Sequence, residues 1–585
     1  MSGAALLLAL GLLAMPPARA APPSPETRAR VRALEEMLDE EDYLAARAEL
    51  ERLRGAAPAG GEPFDFFAGR VAFGEGRYAE AVEALEAAGV EDRPGSYLRL
   101  ARDTLAITKS HARAESEHFV FLYPPGKDQV LVPYALETLE AQRAALLEDL
   151  GHAPAGKVRI EVVSDASELA RVSTLSQREI DQTGTIAICK FNKLMITSPK
   201  AVLRGYDWLD TLAHEYTHFV VTQAGHNSVP IWLQEALAKY LESRWHGPPG
   251  RALPPSSRAL LAERVAKNQL IPFAKMHPSM AKLPSWKDAA TAFAEVFFAA
   301  EYLHSEHGMR ALRTVVEAMG QGATDAQAVE KATGKPFAQF EKGWMAYLKS
   351  QPVPKGAPLA SADKPVLRGK HDKPEPETKG REISFGEFDE VEDASARRWA
   401  HLGELFRERG RFVAAAEEYG KAHTLVGSAY ESVSNKYALA LMAVRRLDDA
   451  ERVLKASLDA HPGNAATQVH LGRIYLTRGQ WKQAREAYRG ALAQDPFDPE
   501  IHLALLKSAE SLGDGQLAGR ARTASTVLTG VPTDQLPLLL ARLPGPQSDP
   551  SDVALPRVKP DPVAPTPRPP PKKTKPSEPT SSERL

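Results

Sequence analysis

The stretch that most restricts what this chain can fold into runs from Gly205 to Gly225 and contains His214-Glu215-Tyr216-Thr217-His218. Neither Pro nor Gly interrupts it, Asp207 supplies an N-cap and Gly225 a stop, so the pattern predicts one helix between them. Residues four apart on a helix stand one above the other. His214 and His218 can therefore aim both imidazoles at one point, with Glu215 facing the same cavity as a base, the arrangement that holds zinc. Zinc catalysis needs three protein ligands and an open position. The spacing H-E-x-x-H-x-x-G-x-x-H is excluded as the source of the third, because Val221 and Ala224 stand at its Gly and last His. Downstream, a second helix begins at Pro230 and carries Glu235 on its early turns.

The run Pro230-Ile-Trp232-Leu233-Gln-Glu235-Ala236-Leu237-Ala238-Lys-Tyr240 resembles the second helix of the gluzincins, in particular the aminopeptidase-related, peptidase MA-like proteins of bacteria. The resemblance covers residues 117–348. It implies that His214, His218 and Glu235 hold Zn2+ and that Glu215 is the general base, taking a proton from a zinc-activated water as it attacks the carbonyl of a peptide or protein substrate. Endo- and aminopeptidase modes both stay open. Asp210, one turn before His214, is the candidate for orienting an imidazole from behind; its alternative reading is a solvated carboxylate favoured by the helix dipole. Two positions depart from the family. Ala236 stands where Gly is usual, and Phe293 of Ala292-Phe293 stands where an Ala-Tyr pair supplies an oxyanion donor, worth roughly 2.7–4 kcal/mol of barrier. Tyr206 and His277 are candidate replacements, whereas Tyr240, five residues past Glu235, points to another face. The expected function is thus a zinc metallopeptidase. The alternative is a weak or inactive zinc-binding scaffold that works through protein interaction.

Composition narrows the setting. With 585 residues the chain has room for several domains, and a net charge of -2 gives no sign of a nucleic-acid or membrane-surface role. Ala4 to Met15 is apolar but too short to cross a bilayer, and Ala18-Arg19-Ala20 follows as a small-x-small cleavage pattern. Residues 1–20 therefore read as a signal peptide, the mature chain as periplasmic or secreted, without an integral membrane segment after cleavage. Cys189, the single cysteine, cannot form an intramolecular disulfide and reads as core filling in a strand.

Repeats flank the zinc region. Trp399-x-x-Leu402-Gly403-x-x-Phe406 followed by Phe412-x-x-Ala415-x-x-x-Tyr419-x-x-Ala422 has tetratricopeptide spacing, and it recurs through Tyr437 to Pro462 and Leu471 to Pro496. Weaker copies lie at Tyr43 to Leu53 and Tyr78 to Ala88. Such hairpins bury each other's apolar faces and imply a protein or peptide partner. The boundaries expected are repeats at 21–112, the zinc domain at 113–350, a disordered linker at 351–390, repeats at 391–530 and a Pro-rich disordered tail at 531–585. Strands are expected at 117–123, 157–163, 183–189 and 193–197, with one helix over 96–114 and another over 133–150. The fold class is α+β, predominantly helical, with a small mixed sheet.

Overall fold

The computed structural model describes residues 24–56, 64–203, 205–352 and 388–545. The leader, most of the linker and the tail beyond 545 lie outside the described residues. The chain opens with two helical hairpins, α1 (Pro25–Asp39) with α2 (Tyr43–Ala56) and α3 (Asp65–Gly74) with α4 (Tyr78–Ala87). Ser24 accepts from the Thr27 N–H ahead of Pro25, so α1 starts with both a cap and a residue that needs no donor. Gly74 is required by packing: a Cβ there would lie 2.1 Å from the Tyr43 ring.

The expected helix over 96–114 is shorter. Helix α5 (Tyr97–Thr108) stops, and Ala112–Glu115 forms strand β1 instead, with alternating half-buried and exposed side chains. Strand β2 (Phe119–Tyr123), helix α6 (Val132–Leu150), strand β3 (Val158–Val163), the short helices α7 (Ala166–Val172) and α8 (Gln177–Thr183), and strands β4 (Ala187–Lys190) and β5 (Lys193–Thr197) complete a five-stranded sheet of order β1-β2-β3-β5-β4. Strands β2, β3 and β5 are parallel, and the two edges, β1 and β4, are antiparallel to their neighbours. Part of the strand expected at 183–189 is thus the end of α8. One sheet face, with Phe121, Ile160, Leu194 and Ile196, joins the main core; Val163 and Met195 pack the other face with Leu169 and Ile180. The β4–β5 connection is Phe191-Asn192, both at φ 58, a tight turn matched to strand twist. Phe191 holds that backbone by packing edge-on against Phe73 of α3, 5.3 Å between centroids.

Helices α9 (Trp208–Ala224), α10 (Ile231–Leu241), α11 (Pro255–Ala266), α12 (Trp286–His307), α13 (Met309–Gly320), α14 (Asp325–Thr333) and α15 (Phe337–Ser350) come next. Asp207 caps α9 as expected, but Gly225 has φ -98, and the left-handed residues are His226 and Asn227. The C-terminal hairpins are α16 (Ala394–Glu408), α17 (Phe412–Val426), α18 (Glu431–Ala443), α19 (Leu447–Ala460), α20 (Ala465–Thr477), α21 (Trp481–Leu492), α22 (Pro499–Leu512) and α23 (Gly515–Thr529), closed by α24 (Leu536–Leu540). Two expected boundaries move. Phe388 is fully buried inside the expected linker, and Leu536, Leu539 and Leu543 are buried inside the expected tail, because each covers the open face of a terminal hairpin. One apolar core runs from the sheet through α9, α10, α12 and α13 into these repeats. No helix of the described residues is long and apolar enough to cross a membrane.

Candidate metal centre

Helices α9 and α10 pack side by side and bring three ligand atoms together. The Nε2 atoms of His214 and His218 are 3.1 Å apart, and Glu235 Oε2 lies 3.4 Å from the first and 3.3 Å from the second. Bonds of about 2.0–2.1 Å in a tetrahedron put ligand atoms roughly 3.3–3.4 Å apart, so the triangle has the size of one zinc face. Tautomers agree with this. His214 Nδ1 faces Glu242 Oε2 at 3.1 Å and His218 Nδ1 faces Gln234 Oε1 at 3.3 Å, acceptors that would keep the proton on both Nδ1 atoms and leave both Nε2 lone pairs to a bound metal. Gln234 is itself oriented by donating to Thr222 Oγ1. Glu235 Oε2 is buried without a hydrogen-bond partner, an orphan that a cation would satisfy. The three side chains keep 14–16% exposure, which leaves a solvent-facing side for a further ligand.

The electrostatics are those of a cation site. Burial lowers His214, yet Glu235 and Glu242 outweigh it and push the imidazole up to about 10. Burial likewise raises Glu235, but His218 and His214 hold it well below the usual carboxylate range. Glu215, nearly buried, is raised chiefly by burial; His218 and His214 pull against this, and Glu235 adds to it. Helix α9, which carries Glu215, packs beside edge strand β4. The residues fit a zinc ion with Glu215 beside it, and no donor set that favours a harder cation is present among them.

Residues 140–350 match the Peptidase MA superfamily. Residues 441–507 match the tetratricopeptide repeat. The chain thus carries a Peptidase MA region followed by tetratricopeptide repeats, and α9 and α10 both lie inside the first. Among curated proteins no sequence matches. Among solved structures, MamA MSR-1 C2 is 21% identical over 24% of this chain and 82% of its own, at a TM-score of 0.21. Native leukotriene A4 hydrolase from Saccharomyces cerevisiae is 12% identical over 71% of this chain and 66% of its own, at a TM-score of 0.27. Scores this low carry no weight for shape or chemistry.

Within the Peptidase MA region the structure moves one expected role. Asp210 does not reach His214. Its Oδ1 accepts from Trp245 Nε1 at 2.8 Å and pairs with His246 Nε2 at 3.4 Å, and its Oδ2 takes Arg251 at 2.8 Å. The carboxylate behind the imidazole is Glu242, held in turn by Lys239 Nζ at 2.5 Å. Asp210 stands four residues before His214 on the same helix, and its carboxylate turns to the segment after α10 because three donors wait there. Tyr206, a candidate oxyanion donor, and Tyr240, already set aside on helical geometry, are committed elsewhere. Tyr206 hydroxyl donates to the Thr197 carbonyl, Tyr240 hydroxyl pairs with His304 Nδ1 at 2.7 Å, and His277 sits exposed in a loop. Phe293 is half-buried against the main core. Glu242 and Gln234 are the functional side chains that sequence reasoning missed; Glu242 carries no local signal, and Gln234 had only its place beside Glu235.

Proposed function

We propose that this chain is an exported zinc metallopeptidase that hydrolyses peptide bonds. The observation that carries the reading is the closing of His214 Nε2, His218 Nε2 and Glu235 Oε2 into a triangle of 3.1–3.4 Å with Glu215 electrostatically coupled to all three. Zinc bound there would polarise a substrate carbonyl and make water a stronger acid. Glu215 accepts a proton at its carboxylate, and burial, which raises its proton affinity, suits it to hold that proton and return it to the departing amine. Glu242 and Gln234 keep the two imidazoles in the tautomer the reaction needs. Strand β4 is a sheet edge beside Glu215, so an extended peptide can lie along it by main-chain pairing. Export rests on the leader pattern of residues 1–20. The repeats fit a protein or peptide partner.

A second reading, a zinc-binding scaffold of little activity, is favoured by one observation: Tyr206 and Tyr240 hydroxyls are engaged elsewhere, and Phe293 has none. Comparing wild type with Glu215→Gln separates the two. The peptidase reading expects equal zinc content in both and a loss of roughly 10²–10⁴-fold in peptide cleavage in the variant. Zinc-loaded wild type that cleaves nothing in a broad peptide library, or that cleaves no faster than Glu215→Gln, gives the case to the scaffold.

A further inference from the structure

Helix α9 does not begin in solvent. The backbone N–H groups of Tyr206 and Trp208 donate to the carbonyls of Gln494 and Ala493, each at 3.2 Å, and the Trp208 indole Nε1 donates to the Leu492 carbonyl at 3.1 Å. Those carbonyls terminate α21 of the C-terminal repeats. A helix leaves its first N–H groups and its last carbonyls without internal partners, so the start of α9 and the end of α21 satisfy each other, with opposite dipole ends in contact. Gly205 makes the approach possible. It has φ +68, and a Cβ there would stand 2.0 Å from the Gln494 carbonyl oxygen.

From this junction an unbroken set of bonds reaches the metal centre. Asp207 and Asp210, in the same opening turn, take Arg251 Nη1 at 3.2 and 2.8 Å, and Asp210 also takes Trp245 and His246. These three donors belong to the segment that leaves α10, and that segment starts at Glu242, the acceptor of His214 Nδ1. The repeats thus fix the first turn of α9, the turn fixes the segment, and the segment sets the carboxylate behind a ligand.

We propose that the C-terminal repeats act in cis as a brace on the metal centre, with Gly205 and Trp208 as positioning residues for His214. The inference rests on the metal reading of His214, His218 and Glu235. The test uses the full chain and measures zinc affinity by competition with a chromophoric chelator. Trp208→Phe, which keeps a ring but removes the indole donor, and Gly205→Ala are each expected to weaken zinc binding by roughly 2- to 30-fold. Because the effect passes through Glu242, Trp208→Phe added to Glu242→Ala should cost less than about twofold more, whereas a merely structural effect would be additive. Far-UV circular dichroism reports whether each variant folds, and if Gly205→Ala does not, the Trp208–Glu242 cycle decides. Wild type that binds zinc with Trp208→Phe unchanged, or with equal losses in both backgrounds, overturns the brace alone. Wild type that takes up no zinc overturns the metal reading and the brace with it.

Discussion

At the scale of single residues, the centre depends on two kinds of information. His214 and His218 are set by local periodicity, two imidazoles one turn apart, and Glu235 comes from the resemblance of the next helix to the second helix of the gluzincins. That much is legible in the sequence. Glu242 is not, because its role depends on where the chain goes after α10, and nothing in the neighbouring residues marks it among many surface glutamates. Asp210 had the better sequence position and the wrong neighbours. Its partners Trp245, His246 and Arg251 arrive from 35 to 41 residues away. Glu242→Ala is expected to reduce zinc affinity by about 10- to 100-fold while leaving the far-UV spectrum unchanged, since it removes the partner that fixes the His214 tautomer. Chelator competition checks this, and an affinity equal to wild type would remove Glu242 from the site.

At the scale of elements, the repeats were readable because each contact that builds them is local. Gly403 faces Tyr419 and Gly472 faces Tyr488 across their hairpins, so small and aromatic positions recur in register. The elements that escaped are short. Helices α7, α8 and α14 have seven, seven and nine residues, too few for an apolar face to repeat. A usable signal was present in two of them, the capping boxes Ser176-x-x-Glu179 and Thr324-x-x-Gln327. The crossings give a direct test. A Cβ at Gly472 would sit 2.4 Å from the fully buried Tyr488 ring, so Gly472→Ala should destabilise the repeats by about 1–3 kcal/mol through overpacking. Gly519, with nothing within 4 Å, is the control: alanine there should be neutral or stabilise by up to about 1 kcal/mol. Urea denaturation of the two variants checks the contrast.

At the scale of the molecule, helical hairpins hold both ends of α9. The end of α21 meets its start, and just past its finish the Asn227 side chain donates to the Asp39 carbonyl at 2.8 Å, where α1 passes into its turn to α2. That same turn grips the β4–β5 hairpin, since Glu41 pairs with Lys190 at 2.5 Å and accepts from the Asn192 N–H at 3.1 Å. Docking of this kind makes the stability of the repeats matter to the site, and it carries a pH signature. His502 of α22 is fully buried where its ring lies 6.2 Å from Tyr134 of α6; Nε2 donates to the Pro496 carbonyl, and Nδ1 has no partner. Burial lowers it to about 4. Between an unfolded value of about 6.5 and this folded value the unfolded chain binds the proton and the folded chain does not, so stability falls as pH falls through that window. The contribution is complete above pH ~6.5, lost below pH ~4, and amounts to about 3 kcal/mol. His502→Gln, whose amide can still reach the Pro496 carbonyl, should flatten the fall in the urea midpoint between pH 6.5 and 4 relative to wild type. Equal slopes for the two proteins would show that His502 is not the group through which acid loosens this junction.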